Sequence, residues 1–251
     1  FFFLNFFVLV SFKKLLKIVF CMEPVKHIKV KKDMKVSELV EGMSGMGFGA
    51  GKIAEASKIM KEMFEDRECK IFLGVAGAMI SAGMKNVILD LLDDMDVFVT
   101  TGAMLTHDLI EALGENHYHL RGEFKDEELN EKGMDRIYNV VMKNSVYEKL
   151  ENFFEDNWKE FQECKTIKDF LWKIGGILPC EENKSLLKKC FIRKIPIFCP
   201  ALADSGIGLM VWGRKAKGKD INIDVFEDMK EIIDIAWTSK KNGVIYVGGG
   251  V

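Results

Sequence analysis

Apolar positions along the chain follow two rhythms, short unbroken runs and stripes at three- and four-residue spacing, and their alternation predicts the fold. From Val36 the segment VSELVEGMSGMGFGAGKIAEASKIMKEMFED reads as helix, glycine break, helix, with Ile53, Ile59, Met60 and Met63 at helical spacing around Ala54 and Ala56. CKIFLGVAGA gives a strand over Ile71–Val75 that runs into small residues. MISAGMKNVILDLLDDM predicts a helix with Ile80, Met84, Val87, Ile88, Leu91 and Leu92 along one face. DVFVTTGA supplies a second strand and a Thr-Thr-Gly-Ala turn, and LTHDLIEALG a helix closed by Gly114.

The polar stretch HYHLRGEFKDEELNEKGMDRIYNVVM reads as an excursion from the sheet, and residues 148–161 and 167–174 as amphipathic helices. IPIFCPALADSGIG repeats the strand-then-small-turn pattern, with its strand over Ile195–Cys199. INIDVFEDMKEIIDIAWTSKKNG adds a helix and VIYVGGG the last strand. This order predicts an α/β fold, a parallel sheet with helices on both faces. Such sheets bind ligands at the carboxyl ends of their strands, where every small-residue turn falls.

Several glycine-rich stretches compete for a ligand. GMGFGA (45–50) matches a dinucleotide fingerprint by spacing, but a helix precedes it where a strand is required. MGFGAGKI fails as a phosphate loop because Ile53 stands where Ser or Thr must hold magnesium, so this stretch reads as a flexible connection. GVAGAMIS (74–81) follows a strand and is expected to open a helix, whose N–H groups can approach a pyrophosphate. VTTGAMLTHDL (99–109) repeats the arrangement one strand later and adds His107 and Asp108. The bland alternative makes Thr100 or Thr101 a helix cap and His107 an exposed helical residue. Asp204, just past a strand, suits ribose hydroxyls or a cationic substrate, with helix capping as its alternative. His117 and His119 lack a third metal ligand and read as surface histidines, and Asp126-Glu127-Glu128 as a solvated helix start.

Composition narrows the class. The 251 residues suffice for one core, 48% are hydrophobic and 29% charged, and the net charge of -2 offers no basic field for nucleic acid. Six cysteines form no C-x-x-C pair and fit reduced thiols in a cytoplasm. Residues 1–21 form a separate apolar and basic extension. Their apolar run is too short to span a bilayer, and Lys13, Lys14 and Lys17 follow it, the reverse of a secretory signal. The expectation is translated upstream sequence with Met22 as the start, the alternative a membrane-surface anchor without stable insertion.

Four separated segments, VTTGAMLTHDLIEALG, LNEKGMDRIYNV, IPIFCPALADSGIG and DVFEDMKEIIDIA with GVIYVGGGV, together resemble deoxyhypusine synthase of the archaeal style, from about Val36 to Val251. The resemblance implies a Rossmann-like NAD-binding domain, with residues 22–251 its N-terminal and central part, in a homotetramer. It implies oxidation of spermidine by NAD and transfer of the aminobutyl group, through an enzyme lysine, to a lysine of the hypusine-bearing translation factor precursor. By position it assigns NAD to Gly77, Ala78, Met79, Ile80, Ser81, Thr101, Gly102, Ala103, His107 and Asp204. It assigns substrate contacts to Thr106, His107, Gly249 and, as the nearest remaining acid, Asp108. Gly77-Ala78, Thr106-His107 and Leu209 depart from Ser-Asn, Glu-Glu and Asp of eukaryotic members. The family's imine-forming lysine lies downstream of the triple glycine, so no catalytic residue is assigned, and the expectation is a chain truncated before it and inactive alone. The alternatives are a non-catalytic NAD-binding or regulatory paralogue, or a related polyamine transferase of the homospermidine synthase kind.

Overall fold

The computed structural model describes residues 8–10 and 22–249. In chain order these form β1 (Val8–Val10), α1 (Val36–Gly42), α2 (Phe48–Glu65), β2 (Cys69–Val75), α3 (Lys85–Leu91), β3 (Val97–Thr100) and α4 (Gly102–Ala112). An excursion follows, β4 (Tyr118–His119), α5 (Asp126–Glu131), β5 (Met134–Ile137) and β6 (Val140–Lys143). The chain returns through α6 (Val146–Asp156), α7 (Trp158–Phe161), α8 (Ile167–Ile177), α9 (Leu186–Arg193), β7 (Ile197–Phe198), α10 (Gly206–Ala216), α11 (Val225–Thr238) and β8 (Lys241–Val247).

The main sheet runs β1-β8-β2-β3-β7. Its four inner and distal strands are parallel, and β1 pairs antiparallel along β8. Successive side chains on a strand face opposite ways, which divides the apolar residues into two layers. Phe72, Val97 and Phe198 form one layer, packed by Ile232, Ile235 and Ala236 of α11. Leu73, Val75, Phe98, Ile197 and Ile245 face the other way into the main core with residues of α2, α4, α8 and α9. Helices therefore cover both faces, as the alternating pattern predicts.

The excursion is a separate antiparallel sheet, β4-β6-β5. Behind it the expected amphipathic helices carry an aromatic cluster, with Phe161 5.2 Å from Phe170 and 5.3 Å from Phe154 between ring centroids. The five described cysteines, 69, 164, 180, 190 and 199, are free thiols.

Four elements differ from expectation. The predicted helix from Met79 starts only at Lys85. Before it, Ala78–Ala82 makes one helical turn, closed when Met84 donates to the Met79 carbonyl and Gly83, at φ 84°, to that of Ile80. β7 is two residues long, and α9 and α10 are additional helices. The extension at 1–21 lies outside the described residues except for Val8–Val10.

Candidate functional site

The parallel register sets the ends of four strands side by side. Val75 pairs with Val247 on one side and Thr100 on the other, and Val99 pairs with Phe198. The turns beyond them touch in sequence, and glycine permits each contact. A Cβ on Gly248 would lie 2.7 Å from the Ala76 Cβ. One on Gly77 would lie 3.0 Å from Thr101 Oγ1 and 3.2 Å from the Ala103 Cβ. One on Gly102 would lie 2.5 Å from the Ser205 Cβ. The result is a floor of closely packed, glycine-containing turns across β8, β2, β3 and β7. Gly249, exposed, has nothing within 4 Å of where its Cβ would be.

Two polar groups on this floor are unspent. Ser81 Oγ is buried without a hydrogen-bond partner, and the Asp204 carboxylate is exposed with no partner among the described residues. Ser205, rather than Asp204, caps α10, its hydroxyl accepting from the Gly208 N–H at 3.1 Å. Thr101 likewise caps α4 through the Met104 N–H, and Thr100 donates to the Val75 carbonyl at 2.7 Å. An orphaned hydroxyl and a free carboxylate on a glycine-lined floor fit a dinucleotide: backbone for pyrophosphate, carboxylate for ribose.

Two residues expected on a substrate are committed elsewhere. Thr106 is buried, donates to the Gly102 carbonyl at 2.9 Å and accepts from the Ile207 N–H at 3.2 Å, tying α4 to the start of α10. Asp108 is fully buried. Its carboxylate accepts from the Ser185 hydroxyl at 2.7 Å and the Leu187 N–H at 3.1 Å at the head of α9, with the Lys85 ammonium 3.5 Å away. Burial pushes the Asp108 carboxyl up, against the opposing pull of Lys85 and these hydrogen bonds. Both side chains anchor helices.

His107 belongs to a chain of titratable groups. Its Nδ1 lies 2.9 Å from His117 Nε2, and His117 Nδ1 lies 2.7 Å from Glu111 Oε1. The other Glu111 oxygen is 2.6 Å from the Lys85 ammonium. Burial lowers the His107 pKa to about 4, and the neighbouring His117 adds to that. Burial opposes charge on Glu111 too, but hydrogen bonds from His117 and Lys85 hold its carboxyl below the usual range. His117 corrects a sequence expectation, since its side chain is 5% exposed rather than on the surface. The polar residues around His117 hide this, because its burial comes from two partners on α4, Glu111 and His107. His119 is exposed and meets Asn139 at 2.9 Å. Among the described residues no group of three His, Cys, Asp or Glu could hold a metal ion. No helix among them is long and apolar enough to cross a membrane.

Comparison with known proteins agrees with this architecture. The deoxyhypusine synthase family profile matches residues 38–251. The protein named probable deoxyhypusine synthase 1 of Methanosarcina mazei is 41% identical over 231 residues, 91% of this chain and 72% of its own length. The probable deoxyhypusine synthase of Methanothermobacter thermautotrophicus is 34% identical over 233 residues, 90% of this chain and 75% of its own. A crystal structure from Entamoeba histolytica assigned to deoxyhypusine synthase superposes with a TM-score of 0.65 at 19% identity, covering 88% of this chain and 77% of that one, and so shares the fold. With the profile spanning most of the chain and archaeal relatives matched over most of their length, the chain belongs to the deoxyhypusine synthase family.

Proposed function

We propose that the strand-end floor holds NAD and that the protein serves NAD-dependent transfer of the aminobutyl group of spermidine to a lysine of the hypusine-bearing translation factor precursor. The observation that carries this reading is the contact of Gly77 with Thr101 and Ala103 beside the unpartnered Ser81 hydroxyl. There two neighbouring strand-end turns close on one another, and sheets of this kind bind dinucleotides beside such turns. Residues 77–81, Thr101, Gly102 and Ala103 would line the dinucleotide, and Asp204 would accept from its ribose hydroxyls. NAD supplies the hydride acceptor when bound.

The substrate side rests on His107 and Gly249, since Thr106 and Asp108 are spent within the fold. In the family the imine-forming lysine follows the triple glycine in sequence, and no lysine of this chain is given that role. Residues 22–251 are read as one NAD-binding unit, working in a reducing, cytoplasmic setting that free thiols accord with. An apolar stripe on α11 supports a homo-oligomer, a tetramer by family resemblance.

The test is calorimetric titration of the protein with NAD, repeated with Asp204→Asn. Saturable binding weakened several-fold by the substitution is expected. Absence of saturable NAD binding would overturn the reading.

A further inference from the structure

We infer that His117, held by Glu111 and Lys85, is a positioning residue that fixes His107 as a proton acceptor through its Nε2, facing an amine at the strand-end floor. The amine half of this inference rests on the function proposed above. The imidazole geometry stands independently of it.

The direction of the hydrogen bonds follows from the end of the chain. A carboxylate can only accept, so His117 Nδ1 donates to Glu111 at 2.7 Å. With a single proton on that ring, His117 Nε2 carries a lone pair and accepts from His107 Nδ1 at 2.9 Å. His107 is left with an unprotonated Nε2. That atom has no partner among the described residues, and it is not among the polar atoms sealed from solvent. Lys85 ties Glu111 from behind at 2.6 Å, and also lies 3.5 Å from Asp108. His117 and Glu111 are the titratable groups that act on His107, with Lys85 joining Glu111 to Asp108, and each step from His107 to Lys85 is a short polar contact.

The position of His107 follows from contacts on either side of it. Ala103, His107 and Glu111 recur every four residues and share one face of α4. Gly77 packs on Ala103 at one end of this stripe, and Lys85 pairs with Glu111 at the other. The turn that joins Gly77 to Lys85, carrying the unpartnered Ser81 hydroxyl, therefore runs beside His107. An unprotonated ring nitrogen accepts a hydrogen bond and cannot donate one, which favours an amine over an anion beside His107.

The relay also gives the proton a destination. When the N–H bond of a bound ammonium breaks, its proton bonds to His107 Nε2 and the amine keeps the electron pair. The His107 Nδ1 proton passes to His117 Nε2. Positive charge thus appears on His117 beside the Glu111 carboxylate rather than on His107, where burial opposes it. The neutral amine is the form able to release hydride to a nicotinamide dinucleotide.

The test is nitrogen NMR of the histidine side chains in the ligand-free protein near neutral pH. The expected spectrum shows His107 with Nδ1 protonated and Nε2 bare. His117→Phe should shift His107 to a mixture of tautomers. His117→Gln, whose amide oxygen can accept from Nδ1, should restore the single tautomer. A role limited to filling space predicts the opposite order. If His117→Phe does not fold, the wild type and His117→Gln still decide, since a protonated Nε2 in the wild type or mixed tautomers in the glutamine variant would overturn the inference. Addition of spermidine alone should move the His107 Nε2 resonance, and no movement at saturating polyamine would sink the amine half. Failure to bind NAD would instead count against the proposed function and leave the tautomer result intact.

Discussion

Asp108 of α4 and Ser185 at the start of α9 share a buried hydrogen bond of 2.7 Å across 77 positions of sequence. The same carboxylate accepts from the Leu187 N–H, so one side chain fastens two helices and satisfies a helix end that would otherwise be unpaired. Asp108→Ala leaves that N–H and the Ser185 hydroxyl proton without an acceptor, while Lys85 keeps Glu111. The expected loss is about 3 kcal/mol, as for opening other buried ionic contacts. Urea unfolding checks it, and a loss below about 1 kcal/mol would show that the network does not secure α9.

The pH dependence of stability should carry the signature of His107. A histidine held near 4 by the fold and near 6.5 when unfolded takes up its proton more readily in the unfolded chain. Its contribution is complete above pH 6.5 and is lost as the pH falls toward about 4. The loss over this window is expected to reach roughly 3 kcal/mol relative to His107→Gln. Denaturation midpoints of both proteins across the window measure it, and parallel curves would contradict a buried neutral imidazole.

The triple glycine separates two demands that are easily confused. Gly248 sits at φ 86° with Ala76 against it, so Gly248→Ala should cost about 2 kcal/mol from backbone strain and crowding. Gly249 has an ordinary φ and open space, so Gly249→Ala should change stability by less than about 1 kcal/mol. It places a methyl on the exposed floor, however, and should weaken NAD or spermidine binding. Thermal melts and calorimetry on the two variants would show opposite patterns, and equal destabilisation would contradict the geometry.

On α11, Phe226, Met229, Ile233 and Trp237 are 71, 50, 42 and 86% exposed and recur at helical spacing. An apolar stripe of this size marks an association surface. The wild type is expected to sediment as an oligomer, and Phe226→Glu with Trp237→Lys to sediment as a smaller species. A monomeric wild type would remove the reason for the stripe.

Much of this arrangement is legible in the sequence because the strands are unbroken apolar runs, and parallel strands buried on both faces need no alternation to be recognised. Their small-residue ends identify the floor in the same way. What escapes notice has physical causes. The apolar stripe from Ile80 to Leu92 hides the break at Gly83, since periodicity survives one glycine while the backbone does not. Asp204 and Ser205 both make good caps, and only the turn geometry gives the task to Ser205, leaving Asp204 free. His117 looks like a surface residue because its neighbours in sequence are polar. Its burial comes from Glu111 and His107, and it takes the chain's turn back after α4, not the periodicity of the segment, to bring the ring onto them.

The small sheet β4-β6-β5 gains significance from that last contact. His117 immediately precedes β4, whose two residues pair only with Val140 and Val141 of β6. Ladders this short contribute little persistence of their own and open well before a core sheet does. Each such opening would release His117 and let the His107 ring choose its tautomer afresh. The durability of the acceptor is then tied to a two-residue ladder rather than to the parallel sheet. On warming, its chemistry should fade over a range of temperature in which the parallel sheet is still whole.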